Sequence, residues 1–286
     1  MVAAQIAANM VGKALCLGLL VAGLAPCLAG AADDAAQVSS LPSSAHDGTA
    51  SPATIDTQVE LAHPPRRANF EGEHASRDAK EVADWVVDSS DNHSMPFVIV
   101  DKTYAKVFVF DADGRLRGAA PALLGLARGD EPVPGIGERE MSAIRPQERT
   151  TPAGRLVAAL GRNFSGKDIL WVDYDAAISL HRVITTKPKE RRLQRLATPT
   201  PADNRIFYGC INVPAKFYDN VVSPAFTGTH GIVYVLPETR SSREVFTSYD
   251  VEEHARARSA RQPVPAQVVS NPTSPPSATE RLEQAD

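Results

Sequence analysis

Between residues 97 and 236 the chain repeats one pattern: short apolar runs separated by Gly, Pro, Asp or Asn. Runs of this length suit strands better than helices. The first is 97–100, Phe-Val-Ile-Val. In 104–110, Ala105, Val107 and Val109 alternate with Tyr104, Lys106, Phe108 and Phe110, the period-two signature of a strand. Asp113-Gly114 is a hairpin signal leading into a returning strand at 115–120. Further strands are expected at 155–160, 169–173, 178–181 and 231–236. One helix is expected to begin near Pro214, whose fixed φ suits a first helical position, with Phe217, Tyr218, Val221 and Val222 as its apolar stripe. The pattern specifies a mainly β domain over 95–238, a size that buries roughly two-thirds of its unfolded surface.

The flanks differ. Residues 32–68 are rich in Ala, Ser, Asp, Pro and Thr without apolar periodicity and read as a disordered linker. The segment 239–286, with Pro263, Pro265, Pro272, Pro275 and Pro276, reads as a mostly disordered tail. Between linker and domain, 69–94 reads as a helical segment: Ser76 caps a helix over 76–87 whose stripe is Ala79, Val82, Ala83 and Val86, with Trp85 beside it. Residues 1–31 have the form of an export signal. Lys13 is followed by the apolar stretch 14–25 and by the small residues Ala29-Gly30-Ala31. The stretch is too short and interrupted for a stable membrane span. The expected location is the periplasm or cell envelope. A net charge of -4 gives no case for nucleic-acid binding, and no cysteine or histidine spacing suggests a metal.

Of three cysteines, Cys16 and Cys27 lie inside the export segment, and Pro26 makes Cys27 a poor lipid-anchor site. Cys210 is then alone. A lone thiol in an exported protein is a buried spectator, an intermolecular link or a nucleophile. Gly209 before it permits a tight turn and a close substrate approach, and a helix beginning near Pro214 would favour the thiolate. A nucleophilic thiol needs a base. His46, His63, His74 and His93 precede the strand-rich domain. His181 closes a strand and His230 precedes one; His181 is the preferred base, because a strand end both holds and exposes a side chain.

The run Gly209-Cys210-Ile211-Asn212 with the upstream His181 resembles the signature of L,D-transpeptidases, cysteine enzymes that cross-link bacterial peptidoglycan. Thr151-Pro152-Ala153-Gly154 is similar to that family's Thr-Pro-x-Gly element, and the hairpin over 97–120 to its opening strands. The likeness spans about residues 95–238. It implies a mainly β fold, a sandwich of mixed sheets with one helix after the catalytic cysteine. It implies a thioester acyl-enzyme formed on peptidoglycan stem peptides without metal or organic cofactor. Cys210 would be the nucleophile and His181 the base, held by the carbonyl of Arg182. Tyr208, Gly209 and Asn212 would support the cysteine and its oxyanion. Phe207 and Tyr208 stand where the family has a hydroxyl residue and a histidine, and Arg182 where a glycine is common. Other readings on the same scaffold are an L,D-carboxypeptidase, a transferase joining protein to wall, and a non-catalytic envelope protein with a decayed site.

The 28 residues between His181 and Cys210 exceed the family's spacing by about ten. Within them Arg182, Lys187, Lys189, Arg191, Arg192 and Arg195 stand against Glu190. This insertion reads either as a lid meeting substrate carboxylates or as a solvated loop or short surface helix. Arg191, Arg192 and Arg205 are the candidate substrate-binding cations.

Overall fold

The computed structural model describes residues 64–163 and 165–261, so the export segment and most of the linker lie outside the described residues. Ten strands form the framework: β1 (Phe97–Asp101), β2 (Lys106–Phe110), β3 (Leu116–Pro121), β4 (Leu124–Gly125), β5 (Gly154–Arg162), β6 (Asp168–Asp173), β7 (Ile178–Arg182), β8 (Arg205–Phe207), β9 (Ile211–Val213) and β10 (His230–Val235). Eight make one mixed sheet in the order β3-β2-β1-β10-β5-β6-β7-β9, and β4 pairs separately with β8. The pairs β1/β10 and β7/β9 are parallel, and the other neighbours in the large sheet are antiparallel.

Both faces of the sheet's centre are covered, which explains why its strands are apolar on both sides. On β1, Val98 and Val100 enter one core while Phe97 and Ile99 enter the other. The second core is roofed by α1 (Arg77–Ser89), where Ser76 caps the helix by accepting the amide of Ala79 at 3.0 Å. Trp85 stands edge-on to Tyr234 and stacks on Phe246. Phe246 belongs to α5 (Ser242–Phe246), which precedes α6 (Val251–Arg261). The disordered reading of 239–286 is therefore corrected as far as Arg261: Phe246 and Val251 are buried and complete this core. A reciprocal Ser241/Glu244 capping box was the overlooked signal, while 262–286 lie outside the described residues.

The first core is filled by the segment after Cys210. It runs through α3 (Ala215–Phe217), a π turn (Tyr218–Val222) and α4 (Ser223–Phe226), and a short helix, α2 (Arg192–Ala197), lies earlier, in the insertion. Tyr218, Val222 and Phe226 recur every four residues and are fully buried; Phe217 and Val221, expected in the stripe, flank them half-buried.

The sheet nearly closes on itself. Its edges are β3 and β9, and Leu123, just past β3, exchanges two main-chain hydrogen bonds with Asn212 on β9, at 2.8 and 2.9 Å. With β7 on the opposite side, β9 is paired on both edges. The chain around Cys210 thus gains a rigid support that its own three-residue strand could not supply.

A buried cation braces the same region. Lys102 Nζ donates to the carbonyl of Gly129 (2.7 Å), to Asp130 (2.7 Å) and to the carbonyl of Thr151 (3.0 Å). Arg205 completes this cluster, donating to Glu238 at 2.6 Å and to the carbonyl of Lys102 at 3.0 Å. The expected substrate-binding role of Arg205 is thereby corrected: its side chain is only 9% exposed and is committed to Glu238. Burial alone would raise the Asp130 carboxyl. Hydrogen bonds from Lys102, Thr239 and the amides of Glu238 and Thr239 outweigh it and hold the acid well below the ordinary carboxylate range.

A depressed folded-state acid contributes stability above its unfolded value, near 3.9, and loses it as pH falls towards the folded one. Urea unfolding should accordingly show stability dropping below about pH 4. Lys102→Met leaves buried carboxylates without their cation and should lower stability by about 3–5 kcal/mol at neutral pH. A loss below ~1 kcal/mol would mean that the cluster is effectively solvated.

Candidate active site

Cys210 lies at the turn between β8 and β9, and His181 on the neighbouring β7, in direct register with Asn212. Parallel pairing of β7 with β9 is what brings positions 181 and 210 together across the long insertion. His181 is mostly buried, and its Nδ1 is 2.8 Å from the carbonyl oxygen of Arg182. A carbonyl only accepts, so Nδ1 carries the proton and Nε2 is left as the basic nitrogen. Arg182 keeps its own side chain away, paired with Asp168 and Asp219 and stacked on Tyr218.

The thiol is half-buried. Burial pushes it up, but the hydrogen bond and charge of His181 and the hydrogen bonds from Ser179 prevail, leaving it below the ordinary cysteine value. The Ser179 hydroxyl is 3.7 Å from Sγ, and the Ala177 carbonyl 3.6 Å from it. The helix expected to activate the thiol does not reach it. Strand β9 intervenes, and three residues at about 3.3 Å each place the helical segment roughly 10 Å further on. Acidity here comes from the histidine, not from a helix terminus.

Gly209 and Asn212 act on the main chain. Gly209 has φ +138°, and a Cβ there would stand 2.6 Å from both the Thr150 carbonyl oxygen and Ile178 Cδ1. Its carbonyl accepts the Thr151 hydroxyl at 2.8 Å, and that hydroxyl accepts the Gly125 amide at 2.9 Å. Asn212 is fully buried and donates from Nδ2 to the Cys210 carbonyl at 3.3 Å. Thr151 was visible in the sequence only through its Thr-Pro-x-Gly setting; Ser179 carried no signal, because its place opposite the thiol depends on strand pairing.

The two aromatic residues before Gly209 each carry a guanidinium. Arg149 lies 4.0 Å from the Tyr208 ring centroid, and Arg192 lies 4.7 Å from that of Phe207, whose ring meets His181 edge-on at 5.7 Å. Of the candidate cations, Arg192 is therefore brought to the site. Arg191 is exposed at the start of α2, and no contact of its side chain ties it to the site. His230 is exposed at the start of β10, three strands from β7. Among the described residues no group of three His, Cys, Asp or Glu side chains could hold a metal ion, and no helix is long and apolar enough to cross a membrane.

No protein-family model and no curated protein sequence matches the chain. Among solved structures it is similar to the helical cell shape determining protein Pgp2 from Campylobacter jejuni, at 13% identity over 56% of this chain and 52% of that one, with a TM-score of 0.35. It is similar to the LD transpeptidase LdtMt1 in complex with imipenem, at 14% identity over 49% of this chain and 58% of that one, TM-score 0.29. A third similarity is to the catalytic domain of the E. faecium L,D-transpeptidase, at 16% identity over 50% of this chain and 98% of that one, TM-score 0.27. The chain spans about half the length of the Pgp2 structure.

Two variants test the geometry. Thr151→Val leaves the buried Gly125 amide and Gly209 carbonyl without their shared partner and should cost about 1–3 kcal/mol in chemical denaturation, with Thr151→Ser close to wild type. In the pH profile of iodoacetamide alkylation, His181→Gln removes the largest downward influence on Cys210 and leaves the Ser179 hydrogen bonds alone against burial. The inflection should move to higher pH; an unmoved inflection would separate His181 from the thiol.

Proposed function

We propose that this protein is an exported cysteine acyltransferase acting on peptidoglycan stem peptides, an L,D-transpeptidase in type. The observation that carries the proposal is the line from Cys210 through His181 to the Arg182 carbonyl, with a thiol of lowered pKa at one end and a fixed imidazole tautomer in the middle. A spectator cysteine has no need of either. The substrate class rests on the motif: Gly209-Cys210-Ile211-Asn212, the strand-borne His181, and the Thr151-Pro152 element, whose threonine hydroxyl donates to the Gly209 carbonyl.

In the proposed reaction His181 Nε2 takes the Cys210 proton as the sulfur attacks the carbonyl of the penultimate L-centre. The main-chain amides of Tyr208, Gly209 and Cys210 supply donors for the oxyanion. As the tetrahedral species collapses, the C–N bond breaks, the amine of the terminal D-residue leaves with the proton from imidazolium, and a thioester remains. An amine from a second stem peptide then attacks the thioester, giving up a proton through His181. The new amide forms and the thiolate is released. Thiol, imidazole and amides suffice, without a cofactor. The apolar segment at 14–25, read as an export signal, supports the periplasm or envelope as the setting of this work.

Intact-mass analysis after incubation with a carbapenem tests the nucleophile: a covalent adduct in the wild type and none in Cys210→Ala is expected. Absence of an adduct on folded wild-type protein would favour a decayed, non-catalytic site. Incubation with a stem tetrapeptide, with and without an amine acceptor, separates cross-linking from trimming by the mass of the product.

A further inference from the structure

Besides His181, the sulfur of Cys210 has two polar neighbours, and both come from the end of the β6–β7 hairpin. The Ala177 carbonyl accepts from Sγ at 3.6 Å, and the Ser179 hydroxyl donates to Sγ at 3.7 Å. Ser179 is only 5% exposed, and among the described residues the sulfur is the one hydrogen-bond partner of its hydroxyl. Strand pairing puts it there. Leu180 and Ile211 are partners in the parallel β7/β9 ladder, so one position earlier Ser179 faces Cys210. On its other side Ser179 is in register with Trp171 of β6, so its main chain is held from both sides. A neutral thiol satisfies both neighbours, giving its proton to the carbonyl and accepting from the hydroxyl. A thiolate has no proton for Ala177, and the Ser179 hydroxyl remains aimed at its charge.

The two halves of the proposed reaction change the charge on sulfur in opposite directions. In acylation the sulfur bonds to carbon and loses negative charge, so a hydrogen bond to it weakens on the way to the transition state. In resolution the acceptor nitrogen forms the new C–N bond, the C–S bond breaks and its electron pair returns to sulfur. The same hydrogen bond then strengthens as charge builds, and only an interaction stronger in the transition state than in the ground state accelerates a step. A donor that stabilises the thiolate makes it a better leaving group and a weaker nucleophile. His181 is taking the proton of the incoming amine in that step, so the charge on sulfur falls to another donor. Ser179 is placed to be that donor, and it keeps its own proton throughout.

We propose that Ser179 is a catalytic residue of the second half-reaction, its hydroxyl receiving the departing Cys210 thiolate as the thioester is resolved. This rests on the acyl-transfer reading above, but not on the identity of the acyl group. Acetylation of Cys210 with p-nitrophenyl acetate forms a thioester without any wall-derived substrate. Mass analysis of the Cys210 peptide follows its formation and, after the reagent is removed and glycinamide added, its loss. In Ser179→Ala the loss should slow roughly tenfold, while formation stays within about threefold of wild type. Ser179→Thr keeps the hydroxyl on a strand position and should lie closer to wild type than Ser179→Ala. An unchanged rate of loss in Ser179→Ala, or formation and loss slowed by the same factor, overturns the assignment. If the acetyl thioester depends on Ser179 for its loss while a stem tetrapeptide gives neither cross-linked nor trimmed product, the peptidoglycan reading fails and the role of Ser179 stands.

Discussion

The hydroxyl of Thr151 is the joint on which the candidate site depends. It accepts the Gly125 amide and donates to the Gly209 carbonyl, so one atom links the loop before β5, the β4/β8 pair and the residue next to Cys210. Such contact is possible only because the strand of chain at 150–151 passes between two glycines. A Cβ on Gly125 would lie 2.4 Å from the Arg149 carbonyl oxygen, and one on Gly209 would lie 2.6 Å from that of Thr150. The Thr151 carbonyl is held in turn by the buried Lys102 ammonium. Charge pairing deep in the fold thereby determines where the thiol's main chain sits, and the closure between Leu123 and Asn212 keeps β9 from slipping.

On that support the electrostatics of the thiol are a contest with a clear winner. Burial disfavours the thiolate, while His181 and Ser179 favour it by more. The histidine can act this way because the adjacent carbonyl of Arg182 fixes its tautomer and leaves the other nitrogen free. The aromatic pair Phe207 and Tyr208 supplies no base. It supplies two flat surfaces on which Arg149 and Arg192 rest. Two guanidinium groups are thereby held over ring faces beside Cys210 and His181.

Much of the architecture was legible from pattern alone. The hairpin of β1 to β3 and the longer strands β5, β6, β7 and β10 announce themselves through period-two or continuous apolar runs, and Ser76 marks its helix by capping. Strands β4, β8 and β9 were not legible. With two or three residues each, they have no periodicity of their own and exist only because neighbouring chain offers hydrogen-bond partners. The same is true of α5 and α6, whose buried residues are few: Phe246 and Val251 mean little until Trp85 and Tyr234 are there to receive them. Arg205 misled for a related reason, since a cation in sequence shows nothing of the Glu238 that neutralises it thirty-three positions later.

By itself, then, the sequence determined the strand-rich class of the domain, Cys210 as the residue to explain, and His181 as the histidine to set beside it, because apolar period and residue chemistry are local properties. Tertiary structure alone decided the rest: that parallel pairing of β7 with β9 sets those two side chains together, that Arg205 braces the core while Arg192 leans over the site, and that a histidine rather than a helix end lowers the thiol. These are contacts between segments far apart along the chain. Their energies depend on distance, burial and the presence of a partner, and none of the three is written in the residues on either side.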